Sequence, residues 1–471
     1  MDMLMFQLEK NSSIPLYEQL YKEIKKSIIE GVIPVHTKLP SKRKLAEFLM
    51  LSQTTIELAY AQLVAEGYII AKPRIGYFVE DVEDLAYIET KKAVISSIKE
   101  PSPTIEIDFH PGHIDTASFP FTIWRKYAKD AIDFHEKDLL LIGSPQGEFS
   151  LREEIAHYLY QSRGIHCSPE QIVIGSGTEQ LLPMMMKLFG DYNVYAIENP
   201  GYKLTHHIFT QYYQKTIAID VDEDGINIHD LECTQANIAY VTPSHQFPTG
   251  AVLSASRRAQ LLNWAAEKDN RFIIEDDYDS EFRYVGKPIS SLQSMDHRET
   301  VIYISTFSKS LMPSLRIAFF VLPPQLLTRY NDLFTYYTST VPRFEQHILA
   351  QFMKDGHFAK HLNRMRKIYR KKIEKLTLAL SHYAPTVKIS GEQAGMHIVL
   401  TVIHSQSAST LAKIALQQGI RIAPIDHYRM TPSNLVTQKK DFLLGFGGID
   451  EQLIIPSIHR LMNAWQISRQ Q

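Results

Sequence analysis

The sequence has little cysteine and little net charge. Its 471 residues include two cysteines, Cys167 and Cys233, which lie far apart and lack the paired spacing of a zinc site. This scarcity excludes a disulfide framework and favours a reducing compartment. Lysine and arginine number 50 against 52 aspartates and glutamates, a net charge of -2. No global field therefore attracts nucleic acid or membrane, and any DNA binding must come from a local patch.

Long apolar runs are also lacking. No stretch approaches the roughly 20 residues that span a bilayer, and the first residues carry Asp2 and Glu9 without a sustained apolar run, so no signal peptide is visible. These absences point to the cytoplasm. Because 44% of the residues are hydrophobic, the chain can build large cores. Its length predicts two or three domains.

Residues 1–79 have the pattern of three helices and a hairpin. Apolar residues at helical spacing predict a first helix at 16–28, and Ser41 and Ser52 are candidate N-caps of two further helices joined by a short turn. Two short β-type segments then flank a cationic turn at 72–76. This order predicts a winged helix-turn-helix, which lays its second helix in a DNA major groove.

We expect two kinds of side chain to contact double-stranded DNA. Polar residues at the start of the second helix of the motif would lie near base edges, and nearby cations would lie on phosphates. The expected DNA-binding residues are Lys42, Arg43, Lys44, Ser52, Gln53, Thr54, Thr55, Lys72 and Arg74. The alternative is a packing module with a solvated cationic face.

Residues 80–105 differ in composition from the segments on either side. The stretch begins with several acids, has few apolar residues and ends in Pro101-Ser102-Pro103. We interpret it as a linker, long enough for the first domain to lie well away from the second.

From residue 106 to 471, β-type and helical segments alternate. This alternation predicts an α/β domain with a mostly parallel sheet, followed by a small α+β portion from about Val387. One predicted strand runs into Ser176-Gly177-Thr178 ahead of a helix, where backbone N–H groups and a hydroxyl can bind a phosphate. Taken alone this pattern is weak, because glycine turns between strands and helices are common.

A lysine lies between two serines just after the apolar run 301–304. At the mouth of a sheet Lys309 can lose its proton through desolvation or cationic neighbours, and can then form a Schiff base with an aldehyde. Pyridoxal phosphate is the usual aldehyde, and Arg316 would account for its phosphate. The alternative is a strand-end lysine on a solvated loop.

A run of carboxylates follows the apolar residues 272–274. Such a run suggests a metal first, but residues that follow one another on a strand point to alternate faces, so no metal site is predicted. The other use of a carboxylate here is against a pyridinium nitrogen, which keeps that ring protonated. Asp276 is the candidate.

Taken together, these motifs resemble two known families. The order of Ser176-Gly177-Thr178, Tyr202, the segment 245–250, Asp276-Asp277-Tyr278 and Ser308-Lys309 with Arg316 is similar to a fold-type I aminotransferase, over about residues 106–471. The segments 39–46 and 61–68 resemble the winged helix-turn-helix of GntR-type regulators. The whole chain resembles the MocR/GabR-type regulators, in which an aminotransferase-like domain serves as effector sensor.

The resemblance implies a pyridoxal 5'-phosphate site and a head-to-tail homodimer. Lys309 would carry the Schiff base, Asp276 would pair with the pyridine nitrogen, and Tyr278 would bond the ring hydroxyl. Tyr202 would stack on the ring, and which residue of the segment 245–247 touches it stays open. The implied cofactor-binding residues are Gly177, Thr178, Tyr202, Gln246, Asp276, Tyr278, Thr306, Lys309 and Arg316.

Two departures from the families limit what carries over. Gln53 stands where GntR-type proteins usually have arginine, so the operator sequence is not implied. Gly448 stands where we expect an arginine that binds a substrate carboxylate, and Arg421 or Arg429 would have to replace it.

We therefore expect a DNA-binding transcriptional regulator without net turnover. Its aminotransferase-like domain would sense a small amine, an amino acid or pyridoxal phosphate itself. The alternative is an active pyridoxal-phosphate-dependent aminotransferase with a fused DNA-binding module.

Overall fold

The computed structural model describes residues 6, 8–9, 12–81, 104–133, 137–286, 289–431 and 438–469. The chain divides into two compact units, Met1–Glu100 and Pro101–Gln471. Most of the predicted linker lies outside the described residues. Within the described ranges, no helix combines the length and the apolar character that crossing a membrane requires.

The first unit is a winged helix-turn-helix, as predicted. It contains α1 (Leu16–Ile29), α2 (Lys42–Leu49), α3 (Gln53–Ala65) and an antiparallel hairpin of β1 (Ile69–Lys72) and β2 (Gly76–Val79). The predicted caps are confirmed, because the Ser41 side chain accepts a hydrogen bond from Lys44 N at 3.3 Å and that of Ser52 accepts one from Thr55 N at 3.1 Å. Apolar side chains of all three helices and the hairpin form its core.

The second unit contains the remaining elements. Its strands are β3 (Ile107–Asp108), β4 (Ile172–Gly175), β5 (Val194–Asn199), β6 (Lys215–Asp222), β7 (Gly225–Ile226), β8 (Ile238–Val241), β9 (Phe272–Asp277), β10 (Val301–Thr306), β11 (Ala318–Val321), β12 (Val387–Ser390), β13 (His397–Ile403), β14 (Ile420–Arg421), β15 (Ala423–Pro424) and β16 (Lys439–Gly445). Its helices are α4 (Phe121–Asp133), α5 (Phe149–Arg163), α6 (Thr178–Phe189), α7 (Lys203–Gln211), α8 (Ile228–Glu232), α9 (Ala255–Ala266), α10 (Leu292–Met295), α11 (Phe307–Ser310), α12 (Pro324–Phe334), α13 (Arg343–Lys354), α14 (His357–Ser381), α15 (Ala408–Gln417) and α16 (Ile454–Ala464).

A mostly parallel sheet of eight strands forms the centre of this unit, in the order β4-β11-β10-β9-β8-β5-β6-β7. The strands from β10 through β9, β8 and β5 to β6 pair in parallel, whereas β11 is antiparallel to both of its neighbours. Strands β4, β8 and β11 are buried along their whole length, which is typical of a sheet covered on both faces. The carboxyl ends of β4, β5, β8, β9 and β10 therefore meet at one edge.

The long helix α14 leads into a smaller antiparallel sheet, in the order β12-β13-β16-β15. This is the α+β portion that the sequence predicts from about Val387. Its strand β13 begins at His397, which is buried. The start of β13 therefore brings side chains of the small sheet to the site described next.

Candidate functional site

A cavity of about 340 Å³ lies where the parallel strands of the large sheet end. Residues that follow β4, β5, β9 and β10 line it, together with residues from the segment after β3 and from the start of β13. All but one of the residues assigned to the cofactor by the resemblance are brought together here. They are Gly177, Thr178, Tyr202, Asp276, Tyr278, Thr306, Lys309 and Arg316.

Lys309 lies on α11, a single helical turn directly after β10. The Thr306 side chain caps this turn by accepting a hydrogen bond from Ser308 N at 3.1 Å. The Nζ atom of Lys309 donates a hydrogen bond to the carbonyl oxygen of Pro111. Burial lowers the pKa of Lys309 to about 8, although the nearby Asp279 carboxylate opposes the shift. A lysine with so low a pKa has a sizeable neutral fraction near pH 7 and can attack an aldehyde.

Part of the cavity lining carries the residues expected to bind a phosphate. Gly177 precedes α6 with a φ of +130°, a conformation that few residues other than glycine adopt, and a Cβ there would lie 2.6 Å from Glu179 Oε2. Thr178 and Glu179, the first residues of α6, line the cavity, and the first N–H groups of a helix can bind an anion. The guanidinium of Arg316 is half-exposed and donates to Glu179 Oε2 at 2.9 Å. The Thr306 hydroxyl completes the set.

Asp276 lies on β9 at another wall of the cavity. Its carboxyl group is buried and accepts a hydrogen bond from the Tyr240 hydroxyl. Burial raises the pKa of Asp276 to about 7, and the hydrogen bond from Tyr240 opposes the shift. A ligand N–H group facing this carboxyl would favour its ionised form. The position fits the pyridine nitrogen of the cofactor.

Glu275 and Asp277, the neighbours of Asp276 on β9, do not join it at the cavity. Glu275 accepts hydrogen bonds from Leu292 N and Gln293 N, each at 2.9 Å. Asp277 pairs with Arg163 Nε at 2.8 Å. Successive side chains of a strand point to opposite faces of the sheet, so these two carboxylates lie on the opposite face of β9 from Asp276.

Gln246 is the expected cofactor residue that the structure does not bring to the cavity. Its side chain is fully buried, and Nε2 donates to Pro200 O at 3.0 Å and to Glu198 Oε2 at 3.2 Å. Its amide therefore holds the loop that follows β8 in place. The next residue, Phe247, lines the cavity instead and packs edge-on against Tyr202, with 5.6 Å between the ring centroids.

Gly448 also lies away from the cavity lining. It is exposed beyond the end of β16, and a Cβ added there would lie 2.6 Å from His113 Cβ. Leu443 of β16 is buried in an apolar cluster with Phe247, and Tyr428 packs against that cluster. Gly448 itself is therefore not part of the cavity lining.

The two alternative arginines are used elsewhere. Arg421 Nη1 lies 3.0 Å from Asp108 Oδ2, and Arg429 Nε lies 3.4 Å from Asp426 Oδ1. Neither arginine lines the cavity.

The sequence argument missed several residues that line the cavity. His110, Pro111 and Gly112 follow the short strand β3, and Met396 and His397 come from the small sheet. Nothing in their local sequence marks them, because they reach the site only when distant segments pack together. Asp279 could have been found, since it belongs to the run of acids after β9.

The expected base-contacting residues lie at the start of α3. Ser52, Gln53 and Thr54 are exposed there, and Thr55 is half-buried. The Ser52 and Thr55 hydroxyls are 2.7 Å apart. The N-terminal turn of α3 therefore presents polar side chains on the surface, which suits contact with base edges.

The expected phosphate-contacting cations lie on α2 and on the wing. Arg43, Lys44, Lys72 and Arg74 are exposed, whereas Lys42 is half-buried and forms an ion pair with Glu57 of α3. Lys72 lies over the Phe78 ring, 4.8 Å from its centroid. Lys42 thus ties α2 to α3 and differs from the other cations of the set.

Comparisons with known proteins agree with both units. Residues 106–437 match the family described as Aminotransferase class I and II, and residues 16–79 match Bacterial regulatory proteins, gntR family. The solved structure of Pyrococcus horikoshii kynurenine aminotransferase is 25% identical with a TM-score of 0.68, and the match covers 76% of this chain and 90% of that one. The fold of the second unit is therefore that of the aminotransferases.

Relatives that carry both units are regulators. The uncharacterized HTH-type transcriptional regulator YdeL of Bacillus subtilis (strain 168) is 43% identical over 467 residues, which cover 98% of this chain and 99% of that protein. The probable rhizopine catabolism regulatory protein MocR of Rhizobium meliloti is 30% identical over 482 residues, which cover 98% and 96%. The chain therefore belongs to the MocR-type HTH transcriptional regulators, in which a GntR-family DNA-binding domain is joined to an aminotransferase class I and II domain.

Proposed function

We propose that this regulator binds pyridoxal 5'-phosphate through Lys309, and that a small amine, an amino acid or the cofactor itself changes its affinity for double-stranded operator DNA. The observation that carries the proposal is the convergence of eight expected cofactor residues on one cavity of about 340 Å³. Lys309, with its pKa lowered to about 8, is suited to attack an aldehyde, and Asp276 is buried in the wall of the same cavity.

Each of these residues has a role that its position supports. The neutral amine of Lys309 would hold the aldehyde carbon, and the Asp276 carboxylate would accept a hydrogen bond from the pyridine nitrogen. Arg316, Thr306 and the N-terminal turn of α6 would bind the phosphate. When bound, the cofactor supplies an aldehyde that reacts reversibly with amines. A regulator can use such a group to detect an amine.

An effect of the effector on DNA binding requires that the effector bind two states of the protein with different affinities. Couplings of this kind are typically about 1–3 kcal/mol. A head-to-tail homodimer in the cytoplasm would present two winged helices to repeated half-sites. Exposed apolar side chains on one short segment, Leu140, Leu141 and Ile142, support self-association of the second unit.

An active aminotransferase is the second candidate. The eight expected cofactor residues that line the cavity favour it. Transamination, however, needs two substrates whose carboxylates are oriented in turn. Among the described residues that line the cavity, Lys309 and Arg316 are the only lysine and arginine, and both have other roles in the proposal. We therefore favour sensing over turnover.

The test combines absorption with DNA binding. Wild-type protein loaded with pyridoxal phosphate should show a visible absorption band that Lys309→Ala lacks, and Lys309→Arg serves as the variant that keeps a cation without a reactive amine. Fluorescence anisotropy on DNA selected by the protein from a random pool should change with loading in the wild type only. A wild type without the band, or steady amino transfer between an amino acid and a keto acid, would refute the proposal.

A further inference from the structure

Part of the cavity lining is rich in hydrogen-bond acceptors. Asp279 lies there, buried, and its carboxylate acts electrostatically on the Lys309 amine. The carbonyl oxygen of Pro111 accepts a hydrogen bond from Lys309 Nζ. His397 forms part of the same wall. The Lys309 amine is therefore held by the Pro111 carbonyl, with the Asp279 carboxylate near enough to act on it electrostatically.

His397 adds a nitrogen lone pair. It is buried, and its Nε2 atom has no hydrogen-bond partner among the described residues. Its ring donates a hydrogen bond to the Pro248 carbonyl, which leaves Nε2 as an acceptor in the neutral ring. Burial and the charges of His245 and Lys309 hold the pKa of His397 well below its ordinary value. The ring is thus neutral at physiological pH.

His245 fixes the position of the carboxylate. Its Nδ1 atom lies 2.9 Å from Asp279 Oδ2, and its ring is stacked at a tilt on His397 with 4.5 Å between centroids. One donor atom from each of the three side chains lies within 4.8 Å of the other two. The acceptors therefore converge on one small region.

Apart from Lys309, the cavity offers this region no cation for a carboxylate. Arg316 is paired with Glu179, and the Lys309 amine is received by the Pro111 carbonyl once an effector has displaced it from the cofactor. Among the described lining residues no further lysine or arginine is present. A carboxylate placed beside Asp279 would meet a like charge, whereas a protonated amine has three donors and meets acceptors only.

Resting on the proposed function, we infer that the effector is a small diamine rather than an amino acid. One amino group would replace Lys309 on the cofactor aldehyde, so that a new C=N bond forms as the bond to Nζ breaks and Lys309 leaves as a free amine toward the Pro111 carbonyl. The second amino group, as an ammonium group, would be bound by Asp279 and His397.

The test compares two ligands of matched length on cofactor-loaded wild-type protein. 1,4-Diaminobutane and 4-aminobutanoate each carry a primary amine, and they differ at the other end by ammonium against carboxylate. We expect the diamine to shift the visible band at a concentration about tenfold lower or less, with 1-aminobutane in between. Equal or tighter binding of 4-aminobutanoate overturns the inference and leaves the proposed function intact. Absence of the band in the loaded wild type overturns the proposed function itself.

Variants locate the effect. Asp279→Asn, which keeps the size of the side chain but not its charge, should reduce the preference for 1,4-diaminobutane over 1-aminobutane to less than about threefold. Asp332→Asn, an exposed aspartate of α12, is the matched control and should keep the wild-type preference. Retention of the full preference by Asp279→Asn overturns the inference. Loss of the diamine response on addition of EDTA would also overturn it, in favour of a metal ion held by His245, Asp279 and His397.

Discussion

Lys309 illustrates how burial alone prepares a residue for its chemistry. Only the neutral amine attacks an aldehyde, and burial lowers the pKa of Lys309 from 10.5 to about 8. The neutral fraction should therefore rise about tenfold per pH unit up to about pH 8 and level off above it. We expect the initial rate at which the visible band appears, after pyridoxal phosphate is added to cofactor-free protein, to follow this curve between pH 6 and 9. Butylamine in the same buffers is the control, and a rate still rising steeply above pH 9 would contradict the lowered pKa.

Asp276 shows the opposite ionisation shift. Its folded-state pKa of about 7 lies above its ordinary value of 3.8, so between these values the folded protein holds a proton that the unfolded chain has lost. Its contribution to stability therefore falls as pH rises through this window. In cofactor-free protein, the melting temperature of Asp276→Asn relative to wild type should increase from pH 5 to pH 7.5.

The same substitution should weaken loading with pyridoxal phosphate, because an amide carries no charge for a pyridinium nitrogen. Asp332→Asn again serves as control for the loading experiment.

In the melting experiment, a difference in melting temperature between Asp276→Asn and wild type that stays constant with pH would show that Asp276 is not protonated in the folded state.

At the scale of elements, α3 depends on its cap. The Ser52 side chain satisfies one of the open N–H groups at the start of the helix, next to the exposed Gln53 and Thr54. Ser52→Ala should cost about 1 kcal/mol of local stability. Amide hydrogen exchange along α3 should then be about fivefold faster, and DNA affinity should fall because the base-contacting turn frays.

A matched cap in the second unit provides the control for this experiment. Ser254 caps α9, where its side chain accepts a hydrogen bond from Arg257 N at 3.4 Å. Ser254→Ala should speed exchange in α9 and leave DNA affinity unchanged. If Ser52→Ala and Ser254→Ala affected DNA binding equally, α3 would not be the helix that enters the groove.

At the scale of the whole molecule, the exposed apolar segment 140–142 offers a test of whether two copies of the protein form a dimer. Leu141 is 65% exposed and Ile142 is 82% exposed, which is unusual for neighbouring apolar side chains. If two copies cover this segment in the proposed dimer, Leu141→Glu should halve the mass measured by light scattering and weaken operator binding. Leu378→Glu, at a 57% exposed position of α14, should leave the mass at that of the dimer. A wild-type mass equal to one chain would refute the dimer directly.

Local sequence was enough to determine much of this protein. Serine caps and helical spacing determined the first unit, and apolar runs ending in polar loops determined the strands β4, β9 and β10. Parallel strands end at one edge of a sheet, so Lys309, Asp276, Gly177 and Arg316 could be expected to meet there before any coordinates were known.

Tertiary structure decided what surrounds Lys309. Gln246 faces its own loop and Phe247 faces the cavity, a choice set by packing against Tyr202. Gly448 lies beyond β16 on the surface, although its position in the sequence suggests the pocket. The hydrogen-bond acceptors that line the cavity include the Pro111 carbonyl and His397, which are distant from Lys309 in the sequence. Such contacts arise from the packing of the small sheet against the large one, and no local pattern of residues encodes them.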